Sequence, residues 1–491
     1  MRIIYFDLDC CRPDHLGCYG YPRNTSPVID GIAERGTRFT NCFTTDAPCL
    51  PSRAALFSGR PGIQNGVVTH EGPGASFRYP GDGHDSDPER FMWMEALSRT
   101  GGFNTVGISS FARRHLAWWF TAGFTEFLGN RLEGGHEIAD DINAIALPWL
   151  EQHAKEDNWF IHLNYWDAHT PYRAPDALFK EMHAQPAPDW PDDETIKRHC
   201  QEWYGPRTPR DFFGAIRTGK SPFKTMRDAI LNRDDFVSMC DGYDAGIRYA
   251  DQAVGQVLEV LERAGVRDET AIIVSGDHGE AIGEQAMYFE HGNASEGVAH
   301  QPLIIDWPGL PQGQVCDAMI QQLDVPPTIL ELLEVERPAK WEGQSFTDAL
   351  KGSQFQGRDH AIWGCGIYAF QRAVRTRDWL FVRTLHPGNF PHEPYMLYNM
   401  VDDPWQQKNL AHENEPKTAE MDHILSNWWY GHCTGQDAVA DPFLSMMHIG
   451  PDIYCSMERT EWMIERANRP DQLEDLRKRR SSWPWRYRPL P

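Results

Sequence analysis

The chain alternates short apolar runs of strand length with longer stretches whose apolar residues recur at helical spacing. Through the first two thirds the order is RIIYFDLD at 2–9, a helical pattern in SPVIDGIAERG at 26–36, PSRAALFSG at 51–59, NTVGISS at 104–110, EIADDINAIALPWLEQHA at 137–154 and NWFIHLNYW at 158–166. A further helix is predicted over 243–264, where Ile247, Ala250, Val254, Leu258 and Leu261 follow one another at three- and four-residue steps, and the strand TAIIVSGD at 270–277 comes soon after. This alternation predicts an α/β fold, a mostly parallel sheet with helices on both faces. Ligands in such sheets collect at the carboxyl ends of the strands.

After about residue 360 the pattern changes to YAFQRAVRTRDWLFVRTLH at 368–386, which reads as antiparallel strands with charged turns, and then to a helix in TAEMDHILSNWWYGH at 418–432. The expected organisation is a catalytic domain over 1–360 and a smaller C-terminal subdomain over 361–491. The Pro-rich, charged stretch 185–225 is expected to be an insertion or lid over the site.

Composition narrows the classes. With 41% hydrophobic and 24% charged residues the chain can bury a large core. A net charge of -23 repels nucleic acid and anionic membranes, so any anionic substrate needs a locally basic pocket. The opening MRIIYFDLDCCRPD lacks the apolar run and small-residue cleavage site of a secretory signal, and no uncharged apolar run reaches membrane-spanning length. Eleven cysteines, four of them crowded at Cys10, Cys11, Cys18 and Cys42 without zinc-ligand spacing, read as reduced, buried thiols. The expected location is cytoplasmic, or periplasmic if a leader has been removed.

The most informative stretch is Cys49-Leu50-Pro51-Ser52-Arg53, continuing to Leu56, Phe57, Ser58, Gly59 and Arg60. Pro51 near the first helical position and Gly59 near the end mark a short helix with Cys49 at its N-terminus, where free N–H groups and the helix dipole favour an anion. Taken alone, Cys49 reads as a buried thiol beside a helix cap. The whole pattern resembles the signature of the sulfatases, members of the alkaline phosphatase superfamily. That resemblance implies an alkaline-phosphatase-like sandwich with a smaller C-terminal antiparallel sheet. It also implies that a maturation enzyme, reading Cys49, Pro51 and Arg53, oxidises Cys49 to formylglycine (3-oxoalanine), whose hydrated aldehyde attacks sulfur with one hydroxyl and expels sulfate with the other. Arg53 would serve both modification and catalysis.

Asp7 and Asp9 end the first strand, and their spacing of two puts both carboxylates on one face. Asp277-His278 follows TAIIVSG. Carboxylates suit Ca²⁺ or Mg²⁺, while an imidazole also admits Mn²⁺ or Zn²⁺. The segment from Asp9 through Cys10, Cys11, Arg12, Pro13 and Asp14 to Gly20 resembles the first sulfatase motif, and Asp277-His278 resembles a later one. The family commonly has two adjacent acids in the first motif, and here Leu8 takes the place of one. Either Asp7 supplies the second carboxylate or the site has one fewer, as in related phosphonate monoester hydrolases. The resemblance gives Asp7, Asp9, Cys49, Asp277 and His278 as the metal site, with one divalent ion, Ca²⁺ foremost and Mn²⁺ or Mg²⁺ as alternatives.

Asp167-Ala168-His169-Thr170-Pro171-Tyr172 resembles the family's Asp-x-His-x-Pro-Tyr segment, and Arg113-Arg114-His115 falls where many sulfatases have Lys-x-His. By that resemblance Arg113, His115 and His169 hold the sulfate. Arg can grip two oxygens of a tetrahedral anion at once. The family's catalytic Lys before the strand at 302–309 is missing, since the chain has no Lys between Lys224 and Lys340. His291 is the nearest substitute, leaving His169 and His291 as alternative general acids. Glu296 and His300 are expected to pack. Tyr395 to Pro404 together with Asn409-Leu410-Ala411 resembles a C-terminal sulfatase element, so the likeness runs in order from residue 3 to about 411.

The expected reaction is hydrolysis of a sulfate monoester on a small anionic substrate, a sulfated sugar, aryl or alkyl group. The alternatives are a phosphonate monoester or phosphodiester hydrolase, and a silent binder of sulfated ligands in which Cys49 stays a thiol. Trp118-Trp119-Phe120, Trp203-Tyr204 and the tail from Ser482 to Arg486 offer rings that could stack on a sugar, fill the core or join copies of the chain into a homo-oligomer.

Overall fold

A computed structural model describes residues 1–78, 87–129, 132, 134–209, 226–227, 229–435, 437–447, 449–451 and 457–482. Its main sheet has eight strands: β1 (Arg2–Leu8), β2 (Thr37–Phe39), β3 (Asn104–Ile108), β4 (Glu126–Phe127), β5 (Trp159–Tyr165), β6 (Thr270–Gly276), β7 (Leu303–Asp306) and β8 (Gln314–Cys316). They lie in the order β8-β2-β7-β6-β1-β5-β3-β4. The strand β1 pairs in parallel with both β5 and β6, in registers that bring Leu8 level with Tyr165 and Gly276, and β7 runs antiparallel to its two neighbours.

All seven residues of β1 are buried, which is why that run carries no polar alternation until Asp7. Alternate side chains of β1 serve two cores. Ile4, Phe6 and Leu8 pack with Ile142 of the helix Ala139–His153 and with Val254, while Ile3 and Tyr5 pack with Leu50 and Phe57 on the other face. Asp7 shares the parity of Ile3 and Tyr5, so it points toward the helix that begins at Cys49.

Six helices matter for the site: α1 (Pro27–Arg35), α2 (Cys49–Ser58), α3 (Phe111–His115), α4 (Ala139–His153), α5 (Arg233–Ala264) and α6 (Glu415–Thr434). The sequence placed the start of α5 at Tyr243. It begins ten residues earlier because the Asn232 side chain accepts from the Asp235 N–H and caps it. Within the stretch expected to be a lid, Asp193–Gln201 is helical and His199 lies 2.7 Å from the Tyr288 hydroxyl, while 210–225 lies outside the described residues.

The antiparallel sheet appears where the pattern changed, with β9 (Ala361–Gly366), β10 (Phe370–Arg375), β11 (Trp379–His386) and β12 (Tyr395–Asn399). The short strand Asp46–Ala47 adds to it in parallel beside β9, so the segment leading into Cys49 belongs to the second sheet. Helix α6 covers β10 and β11 through Met421 and Leu425. Among the described residues no helix is long and apolar enough to cross a membrane.

Candidate active site

Helix α2 opens at Cys49 and closes at Gly59, which takes the left-handed conformation (φ 64°) that glycine adopts freely. Cys49 and Arg53 are four residues apart and share one face. That face meets the carboxyl ends of β1 and β6. Arg53 is fully buried and makes a two-pronged pair with Asp7, Nε to Oδ2 and Nη2 to Oδ1, both at 2.8 Å. Its Nη1 donates to Asp9 Oδ2 at 2.9 Å and Asp277 Oδ2 at 2.5 Å. His162 Nε2 lies 3.2 Å from Asp7 Oδ2.

Three buried carboxylates thus surround one guanidinium, an excess of two negative charges when all are ionised. Burial alone would raise all three acids, but Arg53 holds Asp7 and Asp9 below the usual carboxylate range. For Asp277 burial wins, reinforced by repulsion from Asp9 and Asp7, and its carboxyl is pushed well up. A cation among these carboxylates would favour the ionised form of Asp277, and with all three ionised a divalent ion balances the charge.

The donor atoms suit that role. Cys49, Asp277 and His278 offer ligand atoms within 4.8 Å of one another, as do Asp9, Cys10 and His169, and as do Cys10, His278 and His291. His278 Nδ1 lies 2.7 Å from the Gly279 carbonyl, which can only accept, so the proton sits there and the Nε2 lone pair faces the cluster. The same contact from His169 Nδ1 to the Thr170 carbonyl turns His169 Nε2 to the pocket. Burial lowers His278 and His115 to about 3, and also pushes His70 and His169 well down, so these rings are neutral. His291 departs from them. Burial would lower it too, but Glu280 at 3.1 Å overrides this and raises it to about 9.

Cys49 Sγ lies 3.3 Å from His70 Nε2 and 3.5 Å from His115 Nε2. A pocket beside it is lined by His70, Arg114, His169, Glu290, His291 and Tyr368. Of the residues expected here, Cys49, Arg53, His115, His169, His291, Asp9, Asp277 and His278 come together. Asp7 is adjacent, but both its oxygens are engaged by Arg53 and it joins none of the metal-capable groups found among the described residues.

Arg113 turns away and donates to the Leu132 carbonyl at 3.0 Å. Arg114 takes the pocket instead, with its guanidinium 5.0 Å from the Trp166 ring centre. Successive helix residues are about 100° apart, so with His115 facing Cys49 the residue two back is on the far side and Arg114 is not. That phase was a usable signal for Arg114. His70 had none, since it follows the signature at no motif spacing. Cys10 stands beside Asp9 in the sequence, where its spacing predicts no more than a buried thiol. It is buried, but next to the acids and imidazoles of the site.

Glu296 pairs with Arg375, and His300 Nε2 lies 2.8 Å from the Thr40 carbonyl. Trp119 and Phe120 are core, Trp118 is exposed, and Tyr204 packs with Ile464 and Leu476. The tail at 483–486 lies outside the described residues.

The sulfatase family model matches residues 3–335, and the family described as N-sulphoglucosamine sulphohydrolase, C-terminal matches residues 283–427. The ulvan-active sulfatase of Formosa agariphila is 23% identical over 437 residues, spanning 85% of this chain and 78% of that protein. A protein solved in complex with its substrate D-glucosamine-2-N,6-O-disulfate superposes with a TM-score of 0.68 at 18% identity, covering 89% of this chain and 99% of that one. The phosphonate monoester hydrolase of Agrobacterium radiobacter superposes with a TM-score of 0.68 at 20% identity, covering 87% of this chain and 95% of that one.

Proposed function

Because the chain belongs to the sulfatase family of hydrolases, we propose that it cleaves the S–O bond of a sulfate monoester on a small molecule, using Cys49 in its formylglycine form beside one divalent cation. When present, the formylglycine would supply the attacking hydroxyl, and a bound divalent cation would supply the Lewis acidity that favours its ionisation and polarises sulfate oxygens. Asp9, Asp277 and His278 would hold the cation, with Arg53 fixing the two carboxylates from behind. His115, His70 and Arg114 surround position 49 and hold the anion, the arginine by charge-assisted hydrogen bonds to sulfate oxygens. His169 Nε2 accepts or orients from the opposite wall. His291, kept protonated by Glu280, gives its proton to the leaving oxygen as the S–O bond breaks.

The observation that carries this reading is the position of Cys49: at a helix N-terminus, 3.3 and 3.5 Å from two neutral imidazoles and grouped with Asp277 and His278. A sulfated sugar is the substrate class favoured by the named relatives, one called ulvan-active and another solved with a disulfated glucosamine. The test is parallel turnover of an aryl sulfate, an aryl phosphonate monoester and a phosphodiester by protein produced with a formylglycine-generating enzyme. Sulfate release should be fastest. Turnover confined to the phosphorus esters would replace this reading with the phosphonate hydrolase one, and binding of the sulfate ester without release would leave a binder.

A further inference from the structure

The loop after β1 carries Cys10 into the middle of the proposed cation site. Its Sγ lies 3.1 Å from Asp9 Oδ1, 4.0 Å from His278 Nε2 and 3.8 Å from His291 Nδ1. Ligand atoms of one tetrahedral ion, with bonds near 2.0–2.3 Å, sit roughly 3.5 Å apart, and the Cys10 distances bracket that separation. Two contacts from different parts of the chain hold the thiol there. The Cys10 N–H donates to Asp277 Oδ1 at 3.1 Å, and its carbonyl accepts from the Tyr243 hydroxyl of α5 at 2.7 Å. Between them they keep Cys10 at φ 59°, in the left-handed region.

The surroundings point to a ligand independently of the thiol. Arg53 alone faces the three buried carboxylates of Asp7, Asp9 and Asp277, and the His278 proton is fixed on Nδ1 by Gly279, so Nε2 presents a lone pair to the same spot. Glu280 is buried, with Oε1 on His291 and Oε2 without a hydrogen-bond partner among the described residues.

Resting on the sulfatase reading, we propose that Cys10 is itself a ligand of the catalytic cation, completing a set of Asp9, Asp277 and His278 with a thiolate. The thiol proton leaves to solvent as the metal–sulfur bond forms. A sulfur and an imidazole among two carboxylates favour a borderline ion such as Zn²⁺, Fe²⁺ or Co²⁺ over the all-oxygen-loving Ca²⁺ and Mg²⁺. Tyr243 is a positioning residue for that sulfur.

The experiment loads the folded, metal-stripped protein with Co²⁺ and records its absorption. To exclude the other sulfur in the site, it uses the Cys49→Ser background. Expected are one equivalent of bound cobalt, an intense near-ultraviolet sulfur-to-cobalt band, and no displacement by excess Ca²⁺. Cys10→Ser should lose the band, Cys11→Ser should keep it, and Cys10→Asp should bind without the band and yield its cobalt to Ca²⁺ or Mg²⁺. Far-ultraviolet circular dichroism checks that each variant is folded. One equivalent of cobalt with no sulfur band, or a band that survives Cys10→Ser, overturns the proposal while leaving sulfate hydrolysis intact. Failure of the sulfatase reading is seen separately, as absence of sulfate release from the matured protein with any metal.

Discussion

The carboxyl edge of the eight-stranded sheet and the face of the five-stranded sheet both bury arginine, in opposite ways. In the smaller sheet Arg372 meets Asp441 through two hydrogen bonds and lies over Phe443 and Trp428, so each charge has one partner. At the larger sheet's edge one guanidinium faces three carboxylates. A closed pair is finished business, whereas an outnumbered arginine leaves a field with work to do. The contrast teaches where to look in a protein of this kind: a buried guanidinium facing three carboxylates marks a place where a further cation can bind.

The sharpest way to break the contrast is to remove the nucleophile. Cys49→Ala should abolish sulfate release, by at least about 10⁴-fold, with little change in urea unfolding. Turnover near the native rate would move the function away from this edge. Next is the arginine itself. Arg53→Met leaves three acids buried without their cation and should cost about 3–5 kcal/mol in chemical denaturation. Arg383→Met, whose partner Asp422 is partly solvent-facing, should cost about 1 kcal/mol or less. Equal losses would contradict the difference between this buried cluster and a partly solvent-facing pair of the smaller sheet.

His291→Ala should slow an alkyl sulfate about 10²-fold while an aryl sulfate with a good leaving group falls far less. A uniform loss would assign His291 to binding rather than proton donation.

The smallest effect is one of sign. Asp167 is buried, with Oδ2 lacking a partner among the described residues, and burial raises it to about 7 despite the Ala139 N–H. Its contribution to stability is full below the unfolded value of about 3.9 and is lost as pH rises to about 7. Asp441 is the reverse. Burial would raise it, but Arg372 holds it low, so its contribution is present above about 3.9 and lost as pH falls. Thermal melts at pH 5 and 8 should therefore show Asp167→Asn gaining on wild type as pH rises, by on the order of 1–2 kcal/mol, while Asp441→Asn keeps a constant offset over that range and closes on wild type only below about 3.9. A constant offset for Asp167→Asn between pH 5 and 8, or one for Asp441→Asn that changes there, would contradict this.

The alternation of apolar runs made the large sheet legible, because buried parallel strands carry unbroken hydrophobic runs and their helices carry a clear period. The change near residue 360 marked the second sheet. What the pattern hid was its fifth strand, Asp46–Ala47, too short to show any periodicity and set by pairing with residues more than 300 positions away. In the site, residues embedded in motifs were legible as types and places. Their directions were not. Arg113 and Arg114 are chemically alike, and only the phase of a short helix separates them. Cys10 looked like core because its role depends on Asp277, His278 and Tyr243, all distant in sequence.

The most direct test is mass spectrometry of the peptide bearing position 49, taken from protein that is releasing sulfate and was produced with the maturing enzyme. The side chain should have lost its sulfur and two hydrogens and gained one oxygen, in proportion to specific activity across preparations of differing maturation. Full activity with an intact thiol at Cys49 would contradict the proposed chemistry.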